Sequence, residues 1–300
     1  MTSPLSTASA FTADGLAEFT RAYPAHSAAV RHQLHDHGLF ALSALAGLAE
    51  RLPASHVEHS LGNQSVDQDP AAVRQAALPA REIVRTIATN GCWMVLKKVE
   101  ADPAYAALID QCLAEIEGVV APATGEYLRR EAFIFLSSPN SVTPFHMDPE
   151  HNILLQIAGT KTMRVYPAGD ETIVPQRQHE AFHVGAHRNM PFDQRFDEKA
   201  VAYVMEAGDG VHVPVKAPHW VQNGPVPSIS FSITWRSAAS DGEARLHRFN
   251  RGLRKLGLSP ASPGVNPSAD AAKIAAHRAA KAATGGVRQT LGLRRERGAY

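Results

Sequence analysis

Cysteine is nearly absent from the chain: Cys92 and Cys112 are the only two in 300 residues, with neither a CxxC pair nor the Cys/His spacing of a zinc site around them. That excludes a disulfide-stapled scaffold and a structural zinc fold, and leaves two reduced core thiols. Long apolar runs are missing as well. The longest, from Gly38 to Ala49, is interrupted by small residues and flanked by His, Glu and Arg. It is shorter than the roughly 18 residues a membrane span needs and reads as a buried amphipathic helix. The first ten residues lack a basic segment followed by a continuous apolar one, so a cytoplasmic protein with no membrane association is expected. A net charge of one sign is lacking too, with 30 Lys and Arg against 29 Asp and Glu. The distribution is uneven: from Ala244 to Tyr300 there are twelve basic residues against two acidic, which leaves 18 against 27 before them. The body is acidic and the tail basic.

A hydrophobic content of 44% is enough to build the core of one large domain or two small ones. Residues 1 to about 12 are rich in Ser, Thr and Ala and read as frayed. After Asp14, the spacing of Leu16, Phe19, Val30, Leu34, Leu39, Leu42, Leu45 and Leu48 predicts two or three helices, broken near Pro24 and ended by Pro53. A short helix over 80–89, a strand over 92–99 and a helix opened by Asp102-Pro103 and running to about Gly118 follow. From Arg130 the texture changes to short β-rich segments separated by Gly, Pro, Asn or Asp, at 132–136, 152–157, 161–166, 200–205, 210–213 and 228–235. Helices first and strands later, with no βαβ rhythm, make an α+β arrangement whose strands form a barrel or jelly roll.

The chemistry concentrates in one stretch, from Thr143 to Lys161. On a strand successive side chains alternate faces, so His146 and Asp148 would point the same way and grip one ion together. Ala158-Gly-Thr-Lys161 reads as a tight hairpin with Gly159 at the first central position. On the following strand Lys161, Met163 and Val165 share the apolar, inward face. A lysine there needs an acidic partner or loses its charge, because an unpaired buried ammonium costs several kcal/mol. A third ligand can come from Gly208-Asp-Gly-Val-His212-Val-Pro-Val-Lys-Ala-Pro-His219. Two histidines and one carboxylate are the facial triad of non-haem Fe(II) oxygenases. His219, at a strand start near a barrel mouth, is favoured, and His212, mid-strand, competes with it. His151 has the other parity and reads as a solvent or outer-sphere residue. His179, His183 and His187, spaced by four, read as exposed histidines of a loop-like lid over 175–196 rather than a second metal site.

The run T-P-F-H-M-D-P-E-H-N-I-L-L-Q-I-A-G-T-K, followed by Y-P and later by G-D-G-V-H-V-P-V-K-A-P-H-W-V, resembles the cupin-like JmjC oxygenases, in particular the branch similar to the asparaginyl hydroxylase of hypoxia-inducible factor. The resemblance covers roughly Cys92 to Trp235. It implies a double-stranded β-helix (jelly-roll, cupin/JmjC) over 91–240; with the helical spacing before it and the basic tail after it, the chain reads as an N-terminal helical region over 1–90 packed on that core and a basic C-terminal helix and flexible tail over 241–300. The resemblance also implies Fe(II) held by His146, Asp148 and His219, with 2-oxoglutarate as cosubstrate beside dioxygen. Lys161 and Thr143 would then bind the distal carboxylate of 2-oxoglutarate, and Asn152 would lie near the cosubstrate. The implied activity is hydroxylation of a protein side chain or a small molecule. The alternative is a cupin-like metal- or ligand-binding regulatory protein without turnover, and a third reading is a sugar-binding cupin. Two departures leave the substrate undefined: an imidazole at His212 where the family places an apolar or aromatic residue, and no asparagine ahead of Trp235.

In the tail, Leu246, Phe249, Leu253 and Leu256 recur at three and four residues, an apolar helical stripe suited to homodimerisation or docking, since the oxygenases it resembles often dimerise through C-terminal helices. Residues 259–268 read as a linker, 269–284 as a helix and 288–297 as a basic end. No RRM, helix-turn-helix or zinc signature supports nucleic-acid binding.

Overall fold

A computed structural model describes the chain from residue 9 to residue 290, with side chains as far as residue 282. It contains two compact units: the chain to Ile173 together with His187–Ala238, and Val174–Ala186 together with the chain from Ala239 onward.

The first unit is α+β. Its strands are β1 (Ala28–Arg31), β2 (Val57–Leu61), β3 (Cys92–Lys97), β4 (Tyr127–Ser137), β5 (Val142–His146), β6 (His151–Ala158), β7 (Lys161–Val165), β8 (Val201–Met205), β9 (Asp209–Val213), β10 (His219–Asn223) and β11 (Ser228–Ser237). Two sheets form, in the orders β1-β9-β6-β11-β4-β3-β2 and β5-β10-β7-β8, with every pairing antiparallel. From β4 the chain passes back and forth between the sheets, the path of a double-stranded β-helix.

Side-chain alternation divides the large sheet's faces. Ile153, Leu155 and Ile157 on β6, with Phe231, Ile233 and Trp235 on β11, join one core with Phe19 of α1 (Ala13–Ala22), Leu45 and Leu48 of α2 (Leu42–Arg51), Ile83 of α3 (Ala80–Arg85) and Leu108, Ile109 and Cys112 of α4 (Pro103–Thr124). Each such buried side chain contributes about 1.5–3 kcal/mol. The opposite face meets the small sheet in a second core of Leu154, Val211 and Val213 against Met163, Val165, Met205 and Val221. α4 begins as its sequence requires, Asp102 capping through Oδ1 to the Ala104 N–H at 3.1 Å with Pro103 first in the helix.

Several local expectations are corrected. The turn at 158–161 is not a hairpin, because β6 and β7 lie in different sheets. It is a corner between sheets, with Gly159 at φ 72° and a Cβ there 2.2 Å from the Pro227 carbonyl oxygen, so only glycine fits. Val30 lies on a strand rather than a helix; β1 is too short for its alternation to show and is held by pairing with β9. α4 runs past Gly118 to Thr124, taking Pro122 in its last turn. Of the presumed frayed N-terminus, Ala10 and Phe11 are buried, and both of their N–H groups donate to Glu115. Both cysteines are buried free thiols. Among the described residues no helix is long and apolar enough to cross a membrane.

The second unit holds α5 (Gln176–Phe182), α6 (Ala238–Lys255) and α7 (Pro267–Thr290). His179 and His183 are buried rather than exposed, each stacked on His247 with ring centroids 5.3 and 5.1 Å away. Arg254 pairs with Glu180 at 2.8 Å. His187 belongs to the other unit and is exposed. Most of the basic end at 288–297 lies outside the described residues.

His212 is fully buried on the helix-facing side of β9, against Phe19 and Tyr23 with ring centroids 5.1 and 5.4 Å away. Burial pushes its pKa from 6.5 down to about 4. Above pH 6.5 the ring is neutral in the folded and unfolded chain alike. Below it the unfolded chain takes the proton first, so stability falls as pH drops from about 6.5 to about 4. Denaturant unfolding across that window, in chelator, should lose about 1.4 kcal/mol per pH unit less in His212→Asn than in the wild type; equal slopes would contradict this burial effect.

Candidate active site

His146 closes β5 and His219 opens β10, and the two are register partners across the pair, so their rings lie on one face with centroids 4.1 Å apart. Asp148 is not on the strand as expected but in the turn beyond it. The turn is anchored by the Lys216 N–H, which donates to the Asp148 carbonyl at 2.8 Å, and it still brings the carboxylate to the histidines. Asp148 Oδ2 stands 3.7 Å from His146 Nε2 and 3.7 Å from His219 Nε2. The three ligand atoms lie within 4.8 Å of one another, the one such His/Cys/Asp/Glu group among the described residues.

The protonation states suit a metal. His146 Nδ1 lies 2.7 Å from the Pro144 carbonyl and His219 Nδ1 2.9 Å from the Ala217 carbonyl. Each carbonyl can only accept, so each ring carries its proton on Nδ1 and turns an Nε2 lone pair toward Asp148. Burial holds both histidines below their ordinary value, and for His146 the neighbouring His219 adds to it. Burial alone would raise Asp148, but Arg188, with the two histidines, outweighs it and keeps the carboxyl below the usual range. Two neutral imidazoles and one carboxylate on one side of a point are the donor set for a divalent iron-type ion. His212 is not part of it. Its ring faces the helices, and its Nδ1 is 3.2 Å from the Asn152 carbonyl.

Lys161 sits on β7 between Asn223 of β10 and Met205 of β8 and is buried. It shares the inward face with Met163 and Val165, as its parity predicted. Burial alone pushes its pKa down to about 7, and no carboxylate pairs with it among the described residues. Thr143 on β5 is opposite Val221, itself opposite Met163; directly opposed residues share a face, so Thr143 also points between the sheets. Asn152 is buried on β6 with its Oδ1 accepting from Ser232 Oγ at 2.8 Å. Gln156 is tied up internally, accepting from Ser230 Oγ at 2.7 Å and donating to Ser228 Oγ at 2.9 Å. His151 lies in the helix-side core, stacked on Trp235 at 5.3 Å, rather than at the solvent.

Sequence reasoning missed Arg188, whose Nη1 donates to Asp148 Oδ1 at 2.8 Å, and the Arg236–Glu150 pair at 2.8 Å beside it. Arg188 lies in a segment without periodicity, and only its place in space marks it.

The chain is similar to several known proteins. Residues 122–241 match the JmjC domain family. The lysine-specific demethylase JMJ30 of Arabidopsis thaliana is 26% identical over 113 residues, 35% of this chain and 25% of that protein. The X-ray structure of Escherichia coli ycfD superposes with a TM-score of 0.51 at 15% identity over 84% of this chain and 61% of that one, a likeness of fold. A second structure of that protein, described as a ribosomal oxygenase in complex with cobalt and 2-oxoglutarate, gives a TM-score of 0.48 at 15% identity over 84% of this chain and 59% of that one. The chain therefore spans about a quarter of the curated relative and 61% of the first structural one.

Titration of the chelator-treated protein with Co(II), which reports through its d–d bands, should show one site. That site should be lost in His219→Ala and kept in His212→Asn; the reverse pattern would reassign the third ligand.

Proposed function

We propose that the chain is an Fe(II)- and 2-oxoglutarate-dependent dioxygenase that hydroxylates a protein side chain or a small molecule. The observation that carries this reading is Lys161, a buried cation facing the space between the sheets with no acidic partner among the described residues. A dicarboxylate cosubstrate supplies that partner. In a binding protein that takes no such anion, the same lysine would be a cost in stability with nothing to offset it.

In this reading His146, Asp148 and His219 hold the iron through Nε2, Oδ2 and Nε2, and their burial keeps the imidazoles neutral and available. Iron with 2-oxoglutarate and dioxygen supplies the oxidising power for hydroxylation. The chain positions the reactants. Lys161 binds the distal carboxylate of 2-oxoglutarate by a charge-assisted hydrogen bond, Thr143 Oγ1 donates to the same group, and Asn152, its Oδ1 occupied by Ser232, offers its amide N–H to the cosubstrate. The apolar walls of Met163, Val165, Val211 and Val221 exclude water from between them.

The name of the Arabidopsis relative puts methylated lysine among the candidate substrates, and the substrate class belongs to the proposal. So does a homodimer through the C-terminal helix, which rests on the stripe of α6; there Leu246 is buried while Leu256 is 78% exposed.

Anaerobic addition of Fe(II) and 2-oxoglutarate should raise a visible metal-to-ligand charge-transfer band in the wild type and none in His146→Ala. No band, or a band unchanged by that substitution, would overturn the assignment. Because a carboxylate partner favours the charged amine, binding of 2-oxoglutarate should take up about one proton at pH 8 and almost none at pH 6. Calorimetry in buffers of different ionisation enthalpy reads that uptake, which Lys161→Met should abolish; uptake that persists there would remove Lys161 from the site.

A further inference from the structure

The segment from His187 to Lys199, between β7 and β8 in the first unit, is built as a strap along β5. The Met147 N–H donates to the Arg188 carbonyl at 3.4 Å and the Met190 N–H to the Phe145 carbonyl at 2.9 Å, while Asn189 forms a bridge with His146. Further along, Phe192 packs on Phe145 and Trp220 with ring centroids 5.4 and 6.1 Å away. Asp197 Oδ1 accepts from Tyr166 Oη at 2.6 Å. The backbone beside the iron-type site is thus held from both directions, by main-chain bonds to the ligand strand and by an aromatic anchor on the outer face of the small sheet.

One side chain leaves this strap for the site. Arg188 Nη1 donates to Asp148 Oδ1 at 2.8 Å, while Asp148 Oδ2 faces both histidine Nε2 atoms at 3.7 Å. The two carboxylate oxygens are therefore divided between two tasks. We propose, resting on the reading of His146, Asp148 and His219 as a metal site, that Arg188 is a positioning residue. It takes Oδ1, fixes the carboxylate plane and presents Oδ2 alone to the metal. Without it the carboxylate is free to rotate in the turn or to close on the ion with both oxygens, using a position that the cosubstrate needs. A guanidinium also opposes the cation by its charge, so the two effects predict opposite signs and can be told apart. Positioning weakens metal binding when Arg188 is removed, and charge repulsion alone strengthens it.

The test uses the full-length, chelator-treated protein, titrated anaerobically with Fe(II) in a calorimeter and with Co(II) by absorption. In Arg188→Ala the metal Kd should rise about 10- to 100-fold, the range that loss of an outer hydrogen-bond partner gives, and the Co(II) d–d bands should shift. Arg188→Lys, which keeps a donor and the charge but loses the fork, should recover part of the affinity. The unfolding midpoint of the metal-free protein should barely move, because half of the Arg188 side chain is open to solvent. Unchanged or tighter metal binding with unshifted bands in Arg188→Ala would overturn the proposal. A wild-type protein that binds neither ion would instead overturn the reading of the site itself.

Discussion

A buried lysine held between two β-sheets, with no carboxylate beside it among the described residues, is the constraint around which this molecule is arranged. Burying an unpaired cation costs several kcal/mol, or the group gives up its proton, and Lys161 stands at the edge of that choice with a pKa of about 7. Its position depends on strand parity. A one-residue slip of β7 against β10 and β8 would turn Lys161 outward and Thr162 inward. The register is held at the corner between the sheets, where Gly159 passes the Pro227 carbonyl too closely for any Cβ and the Gly224 N–H donates to the Thr160 carbonyl at 2.8 Å. The apolar residues of the second core then decide which face of β7 is wet.

The metal-type site follows the same economy of means. Two histidines meet because they are register partners on adjacent antiparallel strands, and each is given its tautomer by a main-chain carbonyl two residues before it. The carboxylate comes from a turn, which by itself would be loose. Its carbonyl is bound by the Lys216 N–H and its Oδ1 by Arg188. In the proposed function the neutral imidazoles and ionised carboxylate serve an ion, and Lys161, which has no carboxylate partner among the described residues, serves a dianionic small molecule.

Much of this was legible in the residues. The inward parity of Lys161 was readable because alternation on strands is a period of two that apolar neighbours make visible; His146 and Asp148 were picked out by that same alternation, yet Asp148 reaches the site from a turn instead. The β-rich segments from β4 onward were readable for the same reason. The rest depended on partners remote in sequence. β1 has four residues and exists through β9, while the corner at Gly159 and a hairpin share the same turn chemistry. His151 and His212 look like polar residues beside a site until the helices are placed over them. His179 and His183 look like surface histidines until His247 stacks on them. Arg188 carries no local pattern at all.

In the proposed function Lys161 exists for the far carboxylate of a bound dicarboxylate. The most direct measurement compares two 2-oxo acids that differ in that group, 2-oxoglutarate and pyruvate, for affinity to the anaerobic Fe(II)-loaded protein and to its Lys161→Met variant. A charge-assisted hydrogen bond of about 1.5–3 kcal/mol predicts a preference for 2-oxoglutarate of at least about tenfold in the wild type, collapsing toward unity in the variant. Equal affinities in the wild type, or a preference that Lys161→Met leaves intact, would contradict it.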